Sequence, residues 1–337
     1  MEKTWLVPEY YPRFLCKADK CRHTCCSRWR IPVSKKEYHK LITMECGEQL
    51  NHRIQSAFQM PAFVNEEVYR YIAFNWMGNC PIQEEGFCLL HKEKGEVYLP
   101  KVCRLYPRSL KKINDQYYAC CSGSCEKVIE LLYDVKKFEM IPFVMDEENQ
   151  LVFNKSEEEM GQIEIIRGIL RDEKKALKEK LYGICEIFGA QKQEDEDPLG
   201  KILSLLKIFE NSDEDLKEII EEVVARYKTN PFLYKKDVKK FEEDEKAWMG
   251  FFERMIENSL LYENNPLFSD KENARPYNGL CLCYGMLRVL CVGDHVYHPE
   301  REALIDVCAA VFRLVEHTPF YVNVSALNEN VLSFLEL

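Results

Sequence analysis

The placement of cysteines constrains this chain more than any other feature of its sequence. Of its 337 residues, 16 are cysteine, and 11 of these lie between Cys16 and Cys125. Charge changes at nearly the same place, because residues 1–140 have a balance of +5 and residues 141–337 a balance of −15, within a net charge of −10. We therefore predict two domains, a cysteine-rich metal or iron–sulfur cluster domain at 1–140 and a helical domain at 141–337.

The second part of the chain has the periodicity of amphipathic helices. Apolar residues between Glu157 and Leu181 recur at spacings of three, four or seven, which is typical of a helix with one buried face. Further helical patterns cover about 199–210, 213–228, 240–263, 278–292 and 299–317. The best strand candidates are the short stretches 97–99, 116–119 and 151–153. We expect a mainly α fold, in which a cysteine-rich, loop-rich N-terminal metal-cluster region packs with a helical C-terminal region.

Three classes of protein are disfavoured by composition and hydropathy. No apolar run approaches the roughly 18 residues of a transmembrane helix, and the first residues lead into Pro and Tyr rather than into the apolar segment of a secretory signal. The acidic net charge disfavours a general nucleic-acid-binding protein. We therefore expect a cytoplasmic protein without a membrane or nucleic-acid partner.

The cysteines between Cys16 and Cys125 form three groups whose spacing indicates a soft metal or a cluster. These groups are Cys16, Cys21, Cys25 and Cys26; then Cys80, Cys88 and Cys103; then Cys120, Cys121 and Cys125. Thiolates a few residues apart on a turn can converge on one metal ion or on one iron–sulfur cluster. A cluster tolerates irregular spacing, and the interleaved arginines, such as Arg22 and Arg104, would offset its negative charge.

Disulfides, structural zinc and buried free thiols are the three alternatives to a cluster. Disulfides need an oxidising compartment, which nothing in the sequence predicts. Structural zinc usually uses C-x2-C pairs, and none occurs between Cys16 and Cys125. Buried free thiols account well for isolated cysteines. We assign that last role to Cys46, Cys185, Cys281, Cys283, Cys291 and Cys308.

Several segments together resemble the flagellin lysine-N-methylases, a family of cysteine-rich iron–sulfur proteins related to a wider group of cysteine-rich zinc or iron–sulfur cluster proteins. The likeness is strongest between about 10 and 130. It rests on the spacing from Phe14 to Ile31, on residues 80–82, 87–89 and 95–100, and on Cys103-Arg104-Leu105-Tyr106-Pro107-Arg108. Ser124-Cys125-Glu126 matches a Ser-Cys-Pro-Glu element without its proline, and residues 312–317 match a C-terminal element.

The resemblance implies an enzyme that methylates lysine side chains of flagellin or a similar protein with S-adenosylmethionine, and that contains a 4Fe-4S cluster. Zinc is the alternative metal. The cysteines carried over from the family are Cys16, Cys21, Cys25, Cys26, Cys80, Cys88, Cys103 and Cys125. Eight thiols exceed the needs of one cluster, so either a second metal binds or some of the eight are structural.

General cofactor motifs are absent. There is no Gly-rich turn between a strand and a helix, as in dinucleotide-binding folds. The radical S-adenosylmethionine spacing C-x3-C-x2-C fails after Cys25, where position 28 is Arg, and after Cys125, where position 128 is Val. Any S-adenosylmethionine site in this chain would therefore lack the general sequence motifs of cofactor binding.

The chemistry of lysine methylation suggests a few candidate residues. The ammonium must lose its proton before the nitrogen can attack, so Tyr106 and His317 are candidates for the catalytic group. Arg104 or Arg108 could hold the carboxylate of S-adenosylmethionine, and Trp29 could stack on its adenine. The rival functions are a non-enzymatic zinc- or cluster-binding protein and an electron-transfer protein.

Overall fold

A computed structural model of the chain describes two compact units. It describes residues 2–27, 31–75, 78–113, 115–146, 152–154, 157–191, 197–212, 214–246, 248–262, 277–318, 320, 324 and 330–337. The cysteine unit is Leu15–Tyr106, and the helical unit combines Met1–Phe14 with Pro107–Leu337.

Strands and helices alternate in the first half of the chain, and helices dominate the second. The strands are β1 Glu2–Pro8, β2 Pro32–Val33, β3 Phe58–Gln59, β4 Arg70–Ile72, β5 Gln83–Glu84, β6 Phe87–Cys88, β7 Arg108–Ile113, β8 Gln116–Cys121, β9 Met140–Asp146 and β10 Val152–Asn154. The helices are α1 Lys35–Ile42, α2 Glu48–Ser56, α3 Leu89–Lys94, α4 Lys101–Leu105, α5 Glu126–Asp134, α6 Glu157–Leu170, α7 Leu177–Ile187, α8 Pro198–Phe209, α9 Glu214–Thr229, α10 Phe232–Asp244, α11 Trp248–Leu261, α12 Asn278–Asp294 and α13 Arg301–His317. The predicted mainly α fold class is confirmed.

The cysteine unit is built around a small antiparallel sheet in the order β2-β4-β3 and a two-stranded hairpin of β5 and β6. Helix α1 begins at a capping box, in which Ser34 and Glu37 bond each other's backbone amides. Apolar residues of α1, α2, the strands and α3 form one core that includes Leu50, Ile54 and Leu90. The predicted strand at 97–99 is wrong, because Glu96–Tyr98 forms a 3-10 turn.

The helical unit contains a five-stranded sheet in the order β10-β7-β8-β1-β9. Strand β1 runs parallel to β8 and antiparallel to β9, so the first residues of the chain lie inside this sheet rather than at its edge. The strand prediction at 116–119 is confirmed by β8. The prediction at 151–153 is confirmed by β10 from residue 152 on, while residue 151 lies outside the described residues.

Most predicted helices are confirmed, and two long patterns are divided. The stripe between 157 and 181 belongs to α6 and α7, which are separated by a turn at 171–176. The pattern at 240–263 belongs to the end of α10 and to α11. Glu245 ends α10 with φ −108° and ψ 60°, outside the helical range, so the chain changes direction there.

The limits of the two compact units differ from the predicted division after residue 140. Strand β1 pairs with β8 and β9, and this pairing places residues 2–8 and 107–146 in the same unit as the helices. In the described part of the chain, no helix combines the length and the apolar character that a bilayer crossing needs.

Candidate functional sites of the two units

The eight cysteines carried over from the family are divided between the two units. Seven of them lie in the cysteine unit, and Cys125 lies in the helical unit, immediately before α5. Cys16 and Cys25 are exposed and Cys21 is half-buried. Cys16 and Cys21 flank a 3-10 turn at Ala18–Lys20, and the Ala18 amide donates to the Cys16 Sγ at 3.4 Å.

Four of the seven cysteines share the core of the cysteine unit. Cys80 is buried, and the half-buried Cys26, Cys88 and Cys103 pack against the same apolar cluster. The Cys80 amide donates to the Cys26 carbonyl at 2.8 Å, which fixes two of them side by side. Strand β6 contributes Cys88 and helix α4 contributes Cys103. We call Cys26, Cys80, Cys88 and Cys103 the four-thiol core.

The thiols of the four-thiol core act on one another electrostatically. Burial raises the pKa of the Cys80 thiol to about 12, and the neighbouring Cys26 and Cys88 add to the rise. Burial also raises the pKa of Cys103, and each of the other three thiols raises it further. A hydrogen bond from Cys25 acts in the opposite direction and lowers the pKa of Cys26. Of the four, Cys26 is the one that raises the pKa of each of the other three thiols.

The donor set of the four-thiol core fits a soft metal in number and chemistry. Four thiolates are the ligands of cubane clusters and of many structural zinc ions, and both would stabilise the ionised thiols. Among the residues that the structure describes, however, no three His, Cys, Asp or Glu side chains are grouped closely enough to hold a metal ion. The choice of these four ligands among the eight candidates therefore stays a proposal.

A second group of polar side chains lies in the helical unit, where the end of β8 meets the end of α13. Ser122 follows β8, and the turn from Ser122 to Cys125 leads into α5. Gly123 lies against the ring of Phe312 of α13, and a Cβ at position 123 would be 2.9 Å from Phe312 Cγ. This close approach of the turn to α13 needs a residue without a side chain.

Four side chains form this Ser–Glu–His cluster, which we define as Ser122, Ser124, Glu316 and His317. Ser122 Oγ donates to Glu316 Oε2 at 2.5 Å, and Ser124 Oγ lies 2.7 Å from His317 Nε2. The two serine hydroxyls are themselves 2.5 Å apart. The cluster joins two segments that resemble family elements, residues 124–126 and 312–317, although they are far apart in the sequence.

The environment shifts the pKa of both titratable groups of the cluster. Burial raises the pKa of the Glu316 carboxyl to about 7, although Ser122, the nearby backbone amides of Gly123 and Ser124, and Lys111 favour its ionised form. Its Oε1 atom is buried and has no hydrogen bond of good geometry in the described part of the chain. His317 is exposed as a residue, but desolvation of its imidazole and the positive charge of Arg313 lower its pKa to about 4. At neutral pH, His317 is therefore uncharged, and Glu316 is partly protonated.

The remaining predicted site residues are not brought together by a single unit. Tyr106 and Arg104 belong to the cysteine unit, whereas Arg108 and His317 belong to the helical unit. Arg108 lies over the ring of Phe14, 5.1 Å from its centre. Trp29 lies outside the described residues.

Sequence reasoning missed Ser122, Ser124 and Glu316 as members of one cluster. Two signals were present. The run from Cys121 to Cys125 contains two serines and a glycine after a strand candidate, which is typical of a turn that exposes hydroxyl groups. Glu316 precedes the candidate base His317. What no local pattern could show is that the two segments meet.

Of the free thiols predicted to be buried, five are buried: Cys185, Cys281, Cys283, Cys291 and Cys308. Cys46 is half-buried and packs against the core of the cysteine unit.

Comparison with known proteins associates the helical unit with a protein family. The model of the FliB lysine N-methylase C-terminal domain matches residues 138–334, which is more than half of the chain. A lysine-N-methylase of Salmonella typhimurium strain LT2 is 24% identical over 128 residues, and one of Salmonella choleraesuis strain SC-B67 is 23% identical over the same length. Each match covers 38% of this chain and only 32% of the relative. No solved structure matches the chain.

Proposed function

The chain belongs to the family of the FliB lysine N-methylase C-terminal domain, and on this basis we propose that it methylates lysine side chains of a protein. The observation that carries the proposal is the family match over 138–334. The Ser–Glu–His cluster supports it, because α13 contributes Glu316 and His317 from within that match. S-adenosylmethionine, when bound, would supply the methyl group from its sulfonium.

We propose flagellin, or a similar protein with exposed lysines, as the substrate, and the cytoplasm as the compartment. Support comes from the name of the family and from the net charge of −10. An acidic protein attracts lysine-rich surfaces, which raises the rate at which the two meet.

The residues of this chain would have to bind the lysine and accept its proton. An ammonium has no lone pair, so the proton leaves before or during the formation of the new N–C bond. A base works best when its pKa is near the working pH. Glu316, with a pKa raised to about 7, meets this condition better than His317, with a pKa lowered to about 4. We therefore propose Glu316 as the proton acceptor, with Ser122 holding its carboxylate in place.

For the cysteine unit we propose a 4Fe-4S cluster held by the four-thiol core. When bound, such a cluster would cross-link the loops that contain Cys26 and Cys80 to β6 and α4, and it would supply a one-electron redox centre. Zinc on the same thiols would supply the cross-link alone.

The test is methyl transfer by the full chain purified without oxygen. It is incubated with isotope-labelled S-adenosylmethionine and with flagellin or a lysine-rich protein, and the protein product is analysed by mass spectrometry. We expect label on lysine side chains and a strong loss of label with Glu316→Gln. The matched control, Glu221→Gln, changes an exposed residue of α9 and should retain activity.

Three outcomes would contradict different parts of the proposal. A protein with a reversible redox couple and no methyl transfer would be an electron carrier. A protein with stoichiometric zinc, no sulfide and no methyl transfer would be a structural metal protein. Full activity of Glu316→Gln would leave the methylase intact and would refute Glu316 as the proton acceptor.

A further inference from the structure

A cavity of about 650 Å³ lies in the helical unit, beside the end of α6, α7, α11 and the start of β9. Its volume is in the range of pockets that hold small molecules. Unlike most such pockets, it is lined mainly by charges: of the fourteen described residues that line it, ten are charged, six of them cationic and four anionic. Among the described residues, neither the predicted site residues nor the thiols of the four-thiol core line it.

The floor of this cavity contains charges that are almost completely removed from water. Arg167, Lys180 and Glu257 are each exposed by only 4–5%. Lys180 is satisfied by an ion pair with Glu253 at 2.8 Å. The rim is different, because the pair of Lys137 and Glu173 is mostly exposed. Buried charges cost free energy unless they are fully paired. Whether Arg167 and Glu257 are fully paired therefore decides whether the cavity can bind a charged ligand.

Arg167 and Glu257 are incompletely paired. Arg167 Nη1 bonds Glu164 at 2.5 Å, but Arg167 Nε and Glu257 Oε1 are 3.5 Å apart. In the described part of the chain, neither of these last two atoms has a hydrogen bond of good geometry. Arg171 Nε approaches the same oxygen at 3.2 Å from the side of the solvent. Burial raises the pKa of Glu257 to about 7 in spite of these two arginines. Arg167 Nε can therefore still donate to a further acceptor, and Glu257 Oε1 can still accept from a further donor.

We propose that this cavity binds the α-amino-acid group of a ligand, with the ammonium at Glu257 and the carboxylate at Arg167 and Arg171. The ammonium of a zwitterion donates to Glu257 Oε1 while its carboxylate accepts from Arg167 Nε. A simple anion or a simple cation would pair with only one of these two atoms and would leave the other without a hydrogen bond. Guanidinium groups bind carboxylates with two parallel hydrogen bonds, which adds geometric selection. If the proposed methyl transfer holds, this group belongs to S-adenosylmethionine.

The rest of the cavity suits a larger ligand that ends in an amino-acid group. Phe138, Met140 and Leu170 provide apolar contact for the carbon chain beyond the charged end. Asn258, the residue after Glu257, donates from Nδ2 to the Cys121 carbonyl at 2.8 Å. Helix α11 therefore connects the wall of this cavity to the turn that contains Ser122.

The test is calorimetric titration of the full chain with three small molecules. S-adenosylhomocysteine contains both the nucleoside and the α-amino-acid group, methionine contains only the latter, and 5′-methylthioadenosine contains only the former. The variants are Arg171→Gln at the rim and Glu257→Gln on the floor, with Lys174→Gln as the control. Lys174 is an exposed cation near Arg171 that does not line the cavity. Circular dichroism verifies that each variant is folded.

We expect S-adenosylhomocysteine to bind at least tenfold more tightly than 5′-methylthioadenosine, and each cavity variant to weaken it at least tenfold, with no effect of Lys174→Gln. If methionine is the only one of the three that binds, and Arg171→Gln abolishes this binding, the cavity is an amino-acid site whose ligand is a free amino acid. Methyl transfer with undiminished S-adenosylhomocysteine binding in both variants would overturn the proposal and leave the methylase function standing. Binding of none of the three molecules would show an internal ion network only, and methyl transfer would then decide the proposed function separately.

Discussion

The protonation of Glu316 should make the stability of the protein depend on pH in a direction unusual for a carboxylate. A carboxyl whose pKa is raised on folding binds its proton more tightly in the native state than in the unfolded chain. Its contribution to stability is therefore full below the unfolded pKa near 4.5 and is lost as the pH rises towards about 7. Removing the charge with Glu316→Gln should remove this loss, while the amide oxygen still accepts from Ser122.

The size of the effect follows from the shift. Raising the pKa from 4.5 to about 7 corresponds to about 3 kcal/mol, at roughly 1.4 kcal/mol for each pKa unit. Relative to the parent protein, Glu316→Gln should thus change stability little at pH 4.5 and add up to about 3 kcal/mol at pH 8. The side chains that act on Glu316 are Ser122, Lys111 and Cys283, and they remain in both proteins, so the difference between the two isolates residue 316.

The assay is urea unfolding followed by circular dichroism at pH 4.5, 6 and 8, for the parent, Glu316→Gln and the exposed control Glu221→Gln. We expect the stability difference of Glu316→Gln to grow with pH and that of the control to stay within about 0.5 kcal/mol. If Glu316→Gln instead loses stability relative to the parent as the pH rises, burial does not dominate at this site. Glu316 would then be ionised and well paired in the folded protein.

Three further substitutions test the sites and the fold. Cys103→Ala should reduce the metal and sulfide content of anaerobically purified protein to background, whereas Cys46→Ala, on the same core, should retain both; equal content in the two variants would contradict the four-thiol assignment. Gly123→Ala should lower the free energy of unfolding in urea by about 1–3 kcal/mol, because its Cβ would approach Phe312 Cγ to 2.9 Å. Unchanged stability would mean that the turn and the ring separate readily. Asp197→Ala should lower the free energy of unfolding by about 1 kcal/mol, because it removes the N-cap of α8, where the Asp197 side chain accepts from the Gly200 amide at 2.8 Å. Asp197→Asn should retain most of the stability that the cap provides. An equal loss of stability in both variants would argue against the cap.

Local patterns predicted the helices well because the apolar residues of each helix recur at helical spacing within its own segment. Helix α12 was predicted at 278–292 and extends over 278–294, and α13 was predicted at 299–317 and extends over 301–317. Three of the five strands of the sheet, β1, β7 and β9, were not predicted, for the opposite reason. Strand β7 reads Arg-Ser-Leu-Lys-Lys-Ile, a polar stretch, yet Ser109 and Lys111 are buried in it. Burial of Lys111 is tolerated because its ammonium donates a hydrogen bond to the Leu261 carbonyl of α11.

The helical content, the supply of thiols and the resemblance to a methylase family are all contained in the amino-acid sequence. Which of these residues meet depends on the tertiary fold. The fold gathers Cys26, Cys80, Cys88 and Cys103 from eight candidates around one core, and it brings Ser122 to Glu316 across 194 positions of the chain. Such pairs depend on strand order and helix packing, and no periodicity within one segment contains that information. The internal place of β1 has the same cause, because its partners β8 and β9 lie more than a hundred positions further along the chain.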